Sequence, residues 1–322
     1  MEDLKGPHNI FRMIRMGATL ERTGAMPVVL EAFDAPRPLR ILARTLVWPF
    51  KWLGKRGDLE LPPPARALSA LGPAYIKFGQ VLSTRPDLVG NDLALQLRIL
   101  QDKLPPFPTS AAKRMVEEEL GQPLEVIFDD FSEPVAAASI AQVHKARLRE
   151  TGDTVAIKVL RPRIERAFQR DIDVFYFVAN FIEVFSPGSR RLKPRDVIEH
   201  FEGVVKGELD LRLESASASE FAANTKDDAG FTLPKIIWEH SSRRVMTMSW
   251  AEGVPLRDNA AIDSPGLNGD GLGTRVHQLS RNHALRAGCS YSAIRPFNAK
   301  VTARVGHLAR SSVRICYSDD YS

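Results

Sequence analysis

Lys158 is the first residue of this sequence whose position suggests chemistry. It lies in the run Thr154–Leu160, whose other members are all β-branched or apolar, so the run predicts a buried strand that carries one lysine. A buried ammonium group is costly unless a carboxylate pairs with it, and it also attracts an anionic ligand. The alternative is a strand lysine whose stem packs on the sheet while its charge reaches water.

A segment rich in small residues comes one hairpin before Lys158. Small residues at the entry to a strand let backbone N–H groups approach phosphate oxygens, as glycine-rich loops do. Alanine allows fewer backbone conformations than glycine, so such a loop is stiffer and more selective for shape. A tight turn in the core is the alternative for an alanine run alone. The segment consists of Val135, Ala136, Ala137, Ala138, Ser139, Ile140, Ala141, Gln142 and Val143.

Three carboxylates form a second cluster at Glu208, Asp210 and Glu214. Asp210 and Glu214 are four residues apart, so in one continuous helix they would share a face, while Glu208 would point elsewhere. A solvated helix face is the alternative for such a cluster.

The elements that must position these residues follow from local patterns. Residues 141–148 and 154–160 predict a hairpin around a turn at 150–153. The remaining pattern predicts helices at 65–82, 164–186 and 194–224, a helix that ends at Gly121 after N-caps at Thr109 and Ser110, and a strand pair at 231–238 and 243–250. This mixture predicts an α+β fold.

The amino-acid composition excludes several classes of protein and of site. The chain has 322 residues, 44% of them hydrophobic and 26% charged, which excludes long disorder. Two cysteines build no disulfide framework, and the seven histidines form no spacing typical of a metal site, so no metal site is expected. The start resembles no signal peptide, and no apolar run is long enough to span a membrane.

The net charge of +5 is unevenly distributed. Residues 1–57 hold ten Lys/Arg and five Asp/Glu, and residues 271–322 hold eight and two, so the middle of the chain is acidic. An acidic body argues against a nucleic-acid partner. Residues 36–57 combine cations with Trp48 and Trp52, which favours either a membrane-surface arm or an arm docked on its own domain through its aromatic rings. Pro49 breaks any continuous helix there.

Taken together in their order, these motifs resemble those of the UbiB-type family of atypical, protein-kinase-like proteins, over roughly residues 8–258. The matching segments are the alanine-rich loop at 136–143, the nucleotide lysine at Lys158, the K-x-G-Q motif at Lys77-Phe78-Gly79-Gln80, the E-x-D motif at Glu208-Leu209-Asp210, and the ion-pairing glutamate at Glu214.

The resemblance implies a kinase-like N-lobe with a helical extension, ATP and Mg²⁺ as ligands, and a role in ubiquinone biosynthesis. Lys158 would bind phosphates, Glu214 would orient it, and residues 135–143 would cover the nucleotide. The helix with Lys77 and Gln80 would fold over the active site and contact Glu208 and Asp210, which would favour ATP hydrolysis coupled to the handling of a lipid precursor. The expected partners are a membrane surface or that precursor, and other ubiquinone-biosynthesis proteins. The expected location is the cytoplasmic face of a bacterial inner membrane, or otherwise the cytoplasm.

The resemblance fails after residue 288. The lead-in His283-Ala284-Leu285-Arg286-Ala287-Gly288 is present, but Ala293 stands where the family has its catalytic aspartate, and no D-F-G follows. We therefore expect a frameshift or truncation near residue 289 and a missing or incomplete C-lobe. The alternative is a non-catalytic pseudokinase or scaffold, and a monooxygenase has no sequence support. The nucleotide sequence around codons 280–300 decides whether a frameshift occurred, because a frameshift requires a shifted reading frame that encodes H-x-D and D-F-G.

The predicted segmentation has five parts: a basic arm at 1–60, a helical extension at 61–130, a nucleotide-binding N-lobe at 131–258, the start of a C-lobe at 259–288, and an aberrant tail at 289–322.

Overall fold

The computed structural model of the chain describes residues 7–32, 35–101, 106–185, 193–226, 231–251, 299–303 and 313–317. The chain divides into two compact units, and neither unit is continuous in sequence. Residues 1–104 and 163–207 form the first, here called the helical unit, and residues 105–162 and 208–321 form the second, here called the sheet unit. The catalytic-loop segment 283–298 and the lead-in before it lie outside the described residues.

The helical unit is built from helices in two parts of the chain. They are α1 Pro7–Thr23, α2 Ala25–Ala32, α3 Arg37–Val47, α4 Pro63–Leu71, α5 Pro73–Ser83, α6 Pro86–Val89, α7 Asn91–Leu97, α10 Ile164–Phe185 and α11 Pro194–Glu208, with 3₁₀ turns at Trp48–Leu53 and Arg98–Gln101. Pro49 lies in the first of these 3₁₀ turns, so the predicted helix break at this proline is confirmed.

Aromatic rings join the two sequence-distant parts of the helical unit. Phe78 of α5 stacks on Phe175 of α10 with ring centroids 4.8 Å apart, and it meets Phe201 of α11 edge-on at 5.2 Å. Tyr75 packs edge-on against Phe175, also at 4.8 Å. Such pairs contribute beyond the area that they bury, so these contacts fasten α10 and α11 to the N-terminal helices.

The helix predicted at 65–82 is two helices. Gly72 ends α4 and caps α5 with φ at 132°, a conformation that residues with a side chain rarely adopt. The single-helix prediction was therefore wrong at this position, because the hydrophobic spacing continues across a backbone break that only Gly72 and Pro73 signal.

The sheet unit holds two small sheets. Its elements are α8 Thr109–Leu120, α9 Leu124–Ile127, β1 Phe128–Asp129, β2 Pro134–Ala137, β3 Ala141–Leu148, β4 Thr154–Leu160, α12 Leu211–Asn224, β5 Phe231–Thr232, β6 Val245–Ser249, β7 Ala299–Ala303 and β8 Val313–Tyr317, with a 3₁₀ turn at Trp238–His240. The larger sheet is antiparallel with strand order β1-β3-β4-β6, and β2 also pairs with β3. The smaller sheet has the order β5-β8-β7.

The predicted hairpin is confirmed as β3 and β4, and the α+β class is confirmed with it. Alternation along β4 then decides which side chains face which layer. Val155, Ile157 and Val159 join the core that α8 covers, so Ala156, Lys158 and Leu160 point to the opposite face of the sheet.

One further local prediction was wrong, and another holds only in part. Thr109 does not cap α8: the N-cap position is Pro108 and no side chain caps the helix, because the Thr109 hydroxyl donates to the carboxylate of Glu133 instead. The segments predicted as a strand pair at 231–238 and 243–250 pair only locally, where the Ile237 N–H donates to the Thr247 carbonyl and the Ser249 N–H to the Lys235 carbonyl, each at 2.9 Å. β5 pairs with β8, β6 pairs with β4, and a single bridge joins Ile236 to Met248. The predicted end of α8 at Gly121 is confirmed, with φ at 69°.

Within the described part of the chain, no helix has the length and apolar character needed to cross a membrane.

Candidate nucleotide-binding site

Lys158 lies in the middle of β4, opposite Val143 of β3 and Met246 of β6. Only 1% of Lys158 is exposed, which places it among the fully buried side chains of the described residues. A lysine flanked by a strand on both sides has no short route to water. The alternative of an edge-strand lysine that reaches solvent is therefore wrong.

Glu214 supplies the carboxylate that a buried lysine requires. The Lys158 Nζ donates to Glu214 Oε1 at 2.8 Å and to Oε2 at 3.0 Å, and 14% of the Glu214 side chain is exposed. Glu214 lies in the first turn of α12, where the unpaired N–H groups of the helix favour a negative charge. The pair thus joins the central strand to the N-terminal end of α12.

The start of α12 is fixed by two further contacts. The Leu211 N–H donates to the Arg243 carbonyl at 2.9 Å, and Asp210 caps the helix by accepting from the Arg212 N–H at 3.1 Å. The guanidinium of Arg212 also donates to Asp210, at 2.6 Å for the shorter bond, and these bonds hold the pKa of Asp210 below its usual range.

Asp210 and Glu214 do not share a helix face as predicted. α11 ends at Glu208 and α12 begins at Leu211, so the E-x-D motif occupies the break between two helices. Aspartate is a preferred N-cap residue, and this preference was the signal in the sequence that the single-helix prediction missed.

The alanine-rich segment forms a tight hairpin turn between β2 and β3. The Ala138 N–H donates to the Ala141 carbonyl at 2.8 Å across the turn. Arg161, directly after β4, donates from its backbone N–H to the Ile140 carbonyl at 2.8 Å and from its guanidinium to the Ala138 carbonyl at 2.9 and 3.1 Å. Burial lowers the pKa of Arg161. Sequence reasoning missed Arg161, which holds both ends of the turn in place.

Gln142 has a different surrounding from the rest of this segment. Its buried side chain accepts from the Phe107 N–H at 3.0 Å and donates to the Phe107 carbonyl at 3.3 Å. Its amide also lies 2.9 Å from His144 Nε2, while His144 Nδ1 lies 2.8 Å from the Ser132 carbonyl. A carbonyl only accepts, so Nδ1 carries the proton and Nε2 accepts from Gln142. Burial also lowers the pKa of His144 and favours this neutral ring.

Exposure divides the predicted cofactor-binding segment in two. Ile140, Ala141, Gln142 and Val143 are buried, whereas Val135 is half exposed and Ala136, Ala137, Ala138 and Ser139 are intermediate. Contact with a ligand would therefore fall on residues 135–139, while residues 140–143 anchor the turn in the core.

Lys77 and Gln80 lie on α5 of the helical unit. Lys77 is buried, and Gln80 Nε2 donates to the Leu100 carbonyl at 2.9 Å. A Cβ on Gly79 would stand 2.4 Å from Leu100 Cδ1 and 2.7 Å from Leu68 Cδ1, so the glycine of the K-x-G-Q motif permits close packing of α5. The proposed contact of Lys77 and Gln80 with Glu208 and Asp210 stays a prediction.

The chemistry of the described site suits an anionic ligand. A buried, carboxylate-paired lysine beside a turn of small residues suits phosphate oxygens. No group of three or more His, Cys, Asp or Glu side chains in the described ranges is placed to hold a metal ion.

Comparison with known proteins agrees with this geometry. The sequence model of the ABC1 atypical kinase-like domain matches residues 99–313. A probable protein kinase UbiB of Aeromonas hydrophila is 37% identical over 298 residues, which are 92% of this chain and 54% of the relative. Its namesakes in Pseudomonas aeruginosa and Marinobacter nauticus are 36% and 37% identical, covering 91% and 73% of this chain and 55% and 43% of theirs.

The chain therefore belongs to the ABC1 atypical kinase-like family, which confirms the resemblance predicted from its motifs. The fold is that of a kinase-like N-lobe with additional helices. The chain spans about half the length of the curated relatives that it matches. The family match also continues past residue 288, to residue 313. The replacement of the catalytic aspartate at Ala293 stays a prediction.

Proposed function

We propose that this chain binds ATP at the Lys158–Glu214 pair and acts as a kinase-like protein that supports ubiquinone biosynthesis. The observation that carries the proposal is the buried ion pair itself, with 2.8 and 3.0 Å between the ammonium and the two carboxylate oxygens. In kinase-like folds this pairing orients the lysine toward nucleotide phosphates. The ubiquinone role rests on the family and on the relatives named UbiB.

Each residue of the site has a separate task in this proposal. Glu214 fixes the rotamer of Lys158, whose ammonium then neutralises negative charge on the bound phosphates. Arg161 holds the turn at Ala138–Ile140, so that residues 135–139 meet the nucleotide with a pre-formed backbone. ATP, when bound, supplies the phosphoryl group of the hydrolysis or transfer reaction. Mg²⁺ stays a family-based expectation.

Nucleotide-dependent thermal unfolding tests the proposal. ATP should raise the unfolding temperature of the full chain, and Lys158→Ala should weaken ATP binding about tenfold or more, because a charged hydrogen bond contributes about 1.5–3 kcal/mol. Lys113→Ala, an exposed lysine of the same unit, is the matched control. Equal ATP affinity in both variants would place the nucleotide elsewhere.

A second function, a non-catalytic nucleotide-binding scaffold, is favoured by one observation. In the register set by the lead-in at residues 283–288, Ala293 falls on the position of the family's catalytic aspartate, and no D-F-G follows in residues 289–322. Without an aspartate to position the attacking group, we expect ATP binding without measurable ATPase turnover from this chain. Turnover that disappears in Lys158→Ala would rule out the scaffold.

We further propose that residues 36–57 contact an anionic membrane surface. Trp48 and Trp52 are 71% and 73% exposed, so these rings are not packed on the helical unit as the docked-arm alternative required. Exposed cations at Arg44 and Lys51 accompany them. A peripheral location at the cytoplasmic face of a bacterial inner membrane, near other ubiquinone-biosynthesis proteins, is part of this proposal. Failure to sediment with vesicles rich in anionic phospholipid would contradict it.

A further inference from the structure

The helical unit encloses a large cavity that the nucleotide site does not use. Its volume is about 660 Å³, and α1 to α7, α10 and α11 all contribute to its wall. Apart from the hydroxyl of Tyr75, the lining side chains are all apolar, including Met13, Leu30, Ala43, Val178 and Ile198. Folded protein interiors have few voids larger than a water molecule, so a cavity of this size is a feature that needs an occupant.

The chemistry of the wall selects that occupant. Water needs several polar partners to occupy a cavity, and apolar cavities stay dry. The volume lies within the range of about 300–1,000 Å³ typical of small-molecule sites. Such sites also place a few polar groups to orient a polar ligand, which this wall lacks apart from one hydroxyl. A flexible apolar chain is the ligand that this wall suits.

Part of the cavity wall is exposed within residues 36–57. Leu46 of α3 and Phe50 of the following 3₁₀ turn both line the cavity, and they are also 62% and 40% exposed. Their sequence neighbours include the exposed cations Arg44 and Lys51, of which Arg44 also pairs with Glu21 at 3.4 Å. An amphiphile can therefore place its chain in the cavity while its head group stays in water near positive charge.

We propose that this cavity binds one long apolar chain of a lipid whose anionic head group lies at the exposed part of the wall near Arg44 and Lys51. The site is separate from the Lys158–Glu214 pair and belongs entirely to the helical unit. Entry into the cavity removes the apolar chain of the lipid from water and restores the packing contacts that an empty space forfeits.

Binding of cis-parinaric acid to the full chain tests the proposal. This fatty acid has a single chain and a carboxylate, and its fluorescence rises in a dry apolar site. We expect a saturable rise with one probe per chain, reversed by competition. Farnesyl phosphate and oleate form the two competing arms. Displacement by either supports the site and shows whether it prefers an isoprenoid or an acyl chain, and displacement by neither would overturn it.

Cavity-filling variants locate the probe. Ala43→Phe and Val178→Phe should each weaken binding about tenfold or more, because each new ring occupies the cavity from a different helix. Leu42→Phe is the matched control, since Leu42 neighbours Ala43 on α3 but is 50% exposed and does not line the cavity. Wild-type affinity in the two folded cavity variants would contradict the proposal.

Energy transfer gives a measurement that does not depend on how those variants fold. Trp48 and Trp52 belong to the segment that carries the lining residues Leu46 and Phe50, so a Trp48→Phe/Trp52→Phe variant should show less energy transfer to the bound probe than the wild type. Transfer equal to that of the wild type would place the probe elsewhere. The double variant Lys158→Met/Glu214→Leu removes the charges of the nucleotide site without leaving either partner buried alone, and it should bind the probe as the wild type does. The lipid site and the nucleotide site can therefore fail independently.

Discussion

Replacing Glu214 by alanine should lower the free energy of unfolding by about 3–5 kcal/mol, the range found when one partner of a buried ion pair is removed. The Lys158 ammonium is 1% exposed and would lose both hydrogen bonds to the carboxylate. Its position between β3 and β6 gives it no short path to solvent. Urea unfolding followed by tryptophan fluorescence and circular dichroism measures the loss.

Two companion variants separate charge from truncation. Glu220→Ala removes an exposed glutamate from the same helix and should change stability by less than about 0.5 kcal/mol. The double variant Lys158→Met/Glu214→Leu should recover most of the stability, because apolar side chains of similar volume often replace a buried pair without loss. That variant should still lose ATP binding. A Glu214→Ala protein as stable as Glu220→Ala would show that the pair is not structurally important.

The sequence predicts those elements of the fold that are determined by residues close together in the chain. Residues 141–148 and 154–160 alternate, and Gly152 adopts a positive φ of 74° in the turn between them, so strand, turn and strand are all encoded within 20 residues. The resemblance rested on short motifs in a fixed order, and the family match confirms it.

Helix boundaries were harder to predict because hydrophobic spacing continues across them. α4 and α5 are separated at Gly72, and α11 and α12 at Leu209–Asp210, yet the apolar stripe predicts one helix in each case. The prediction that Thr109 caps α8 failed because its hydroxyl had more than one possible hydrogen-bond partner. Its hydroxyl could cap α8 or reach Glu133, and only the tertiary structure brings Glu133 within range.

The supporting residues of the candidate site depend on contacts between distant segments. Arg161 holds a turn 23 residues earlier, and Gln142 binds a backbone 35 residues away. Neither residue type signals such a role, since arginine and glutamine side chains are both usually exposed. The Lys158–Glu214 pair spans 56 residues. It was anticipated only through the family, because burial alone requires a carboxylate without specifying which one.

The largest effect expected outside the site is that of Gly54→Ala in the helical unit. A Cβ on Gly54 would stand 2.3 Å from the Ala18 carbonyl oxygen and 2.8 Å from the Thr19 nitrogen, and both are backbone atoms of α1 that cannot rotate away. The close approach of Gly54 to α1 is accompanied by two hydrogen bonds. The Lys55 N–H donates to Thr19 Oγ1 at 3.1 Å, and Arg22 Nη1 donates to the Gly54 carbonyl at 2.7 Å. Overpacking against side chains costs about 1–3 kcal/mol. Against a fixed helix backbone we expect about 3 kcal/mol or more.

A second glycine gives the matched control with the opposite sign. Gly203 lies within α11 and is exposed, and nothing stands within 4 Å of its added Cβ. Gly203→Ala should therefore raise the free energy of unfolding by about 0.5–1 kcal/mol, because alanine loses less backbone entropy in a helix. The stability of both variants is measured by urea unfolding, followed by circular dichroism at 222 nm. If Gly54→Ala were as stable as wild type, the arm at residues 36–57 could not be held against α1 by this close approach. The exposed part of the cavity wall at Leu46 and Phe50 would then lose its structural basis, since Gly54 anchors the segment that carries both residues.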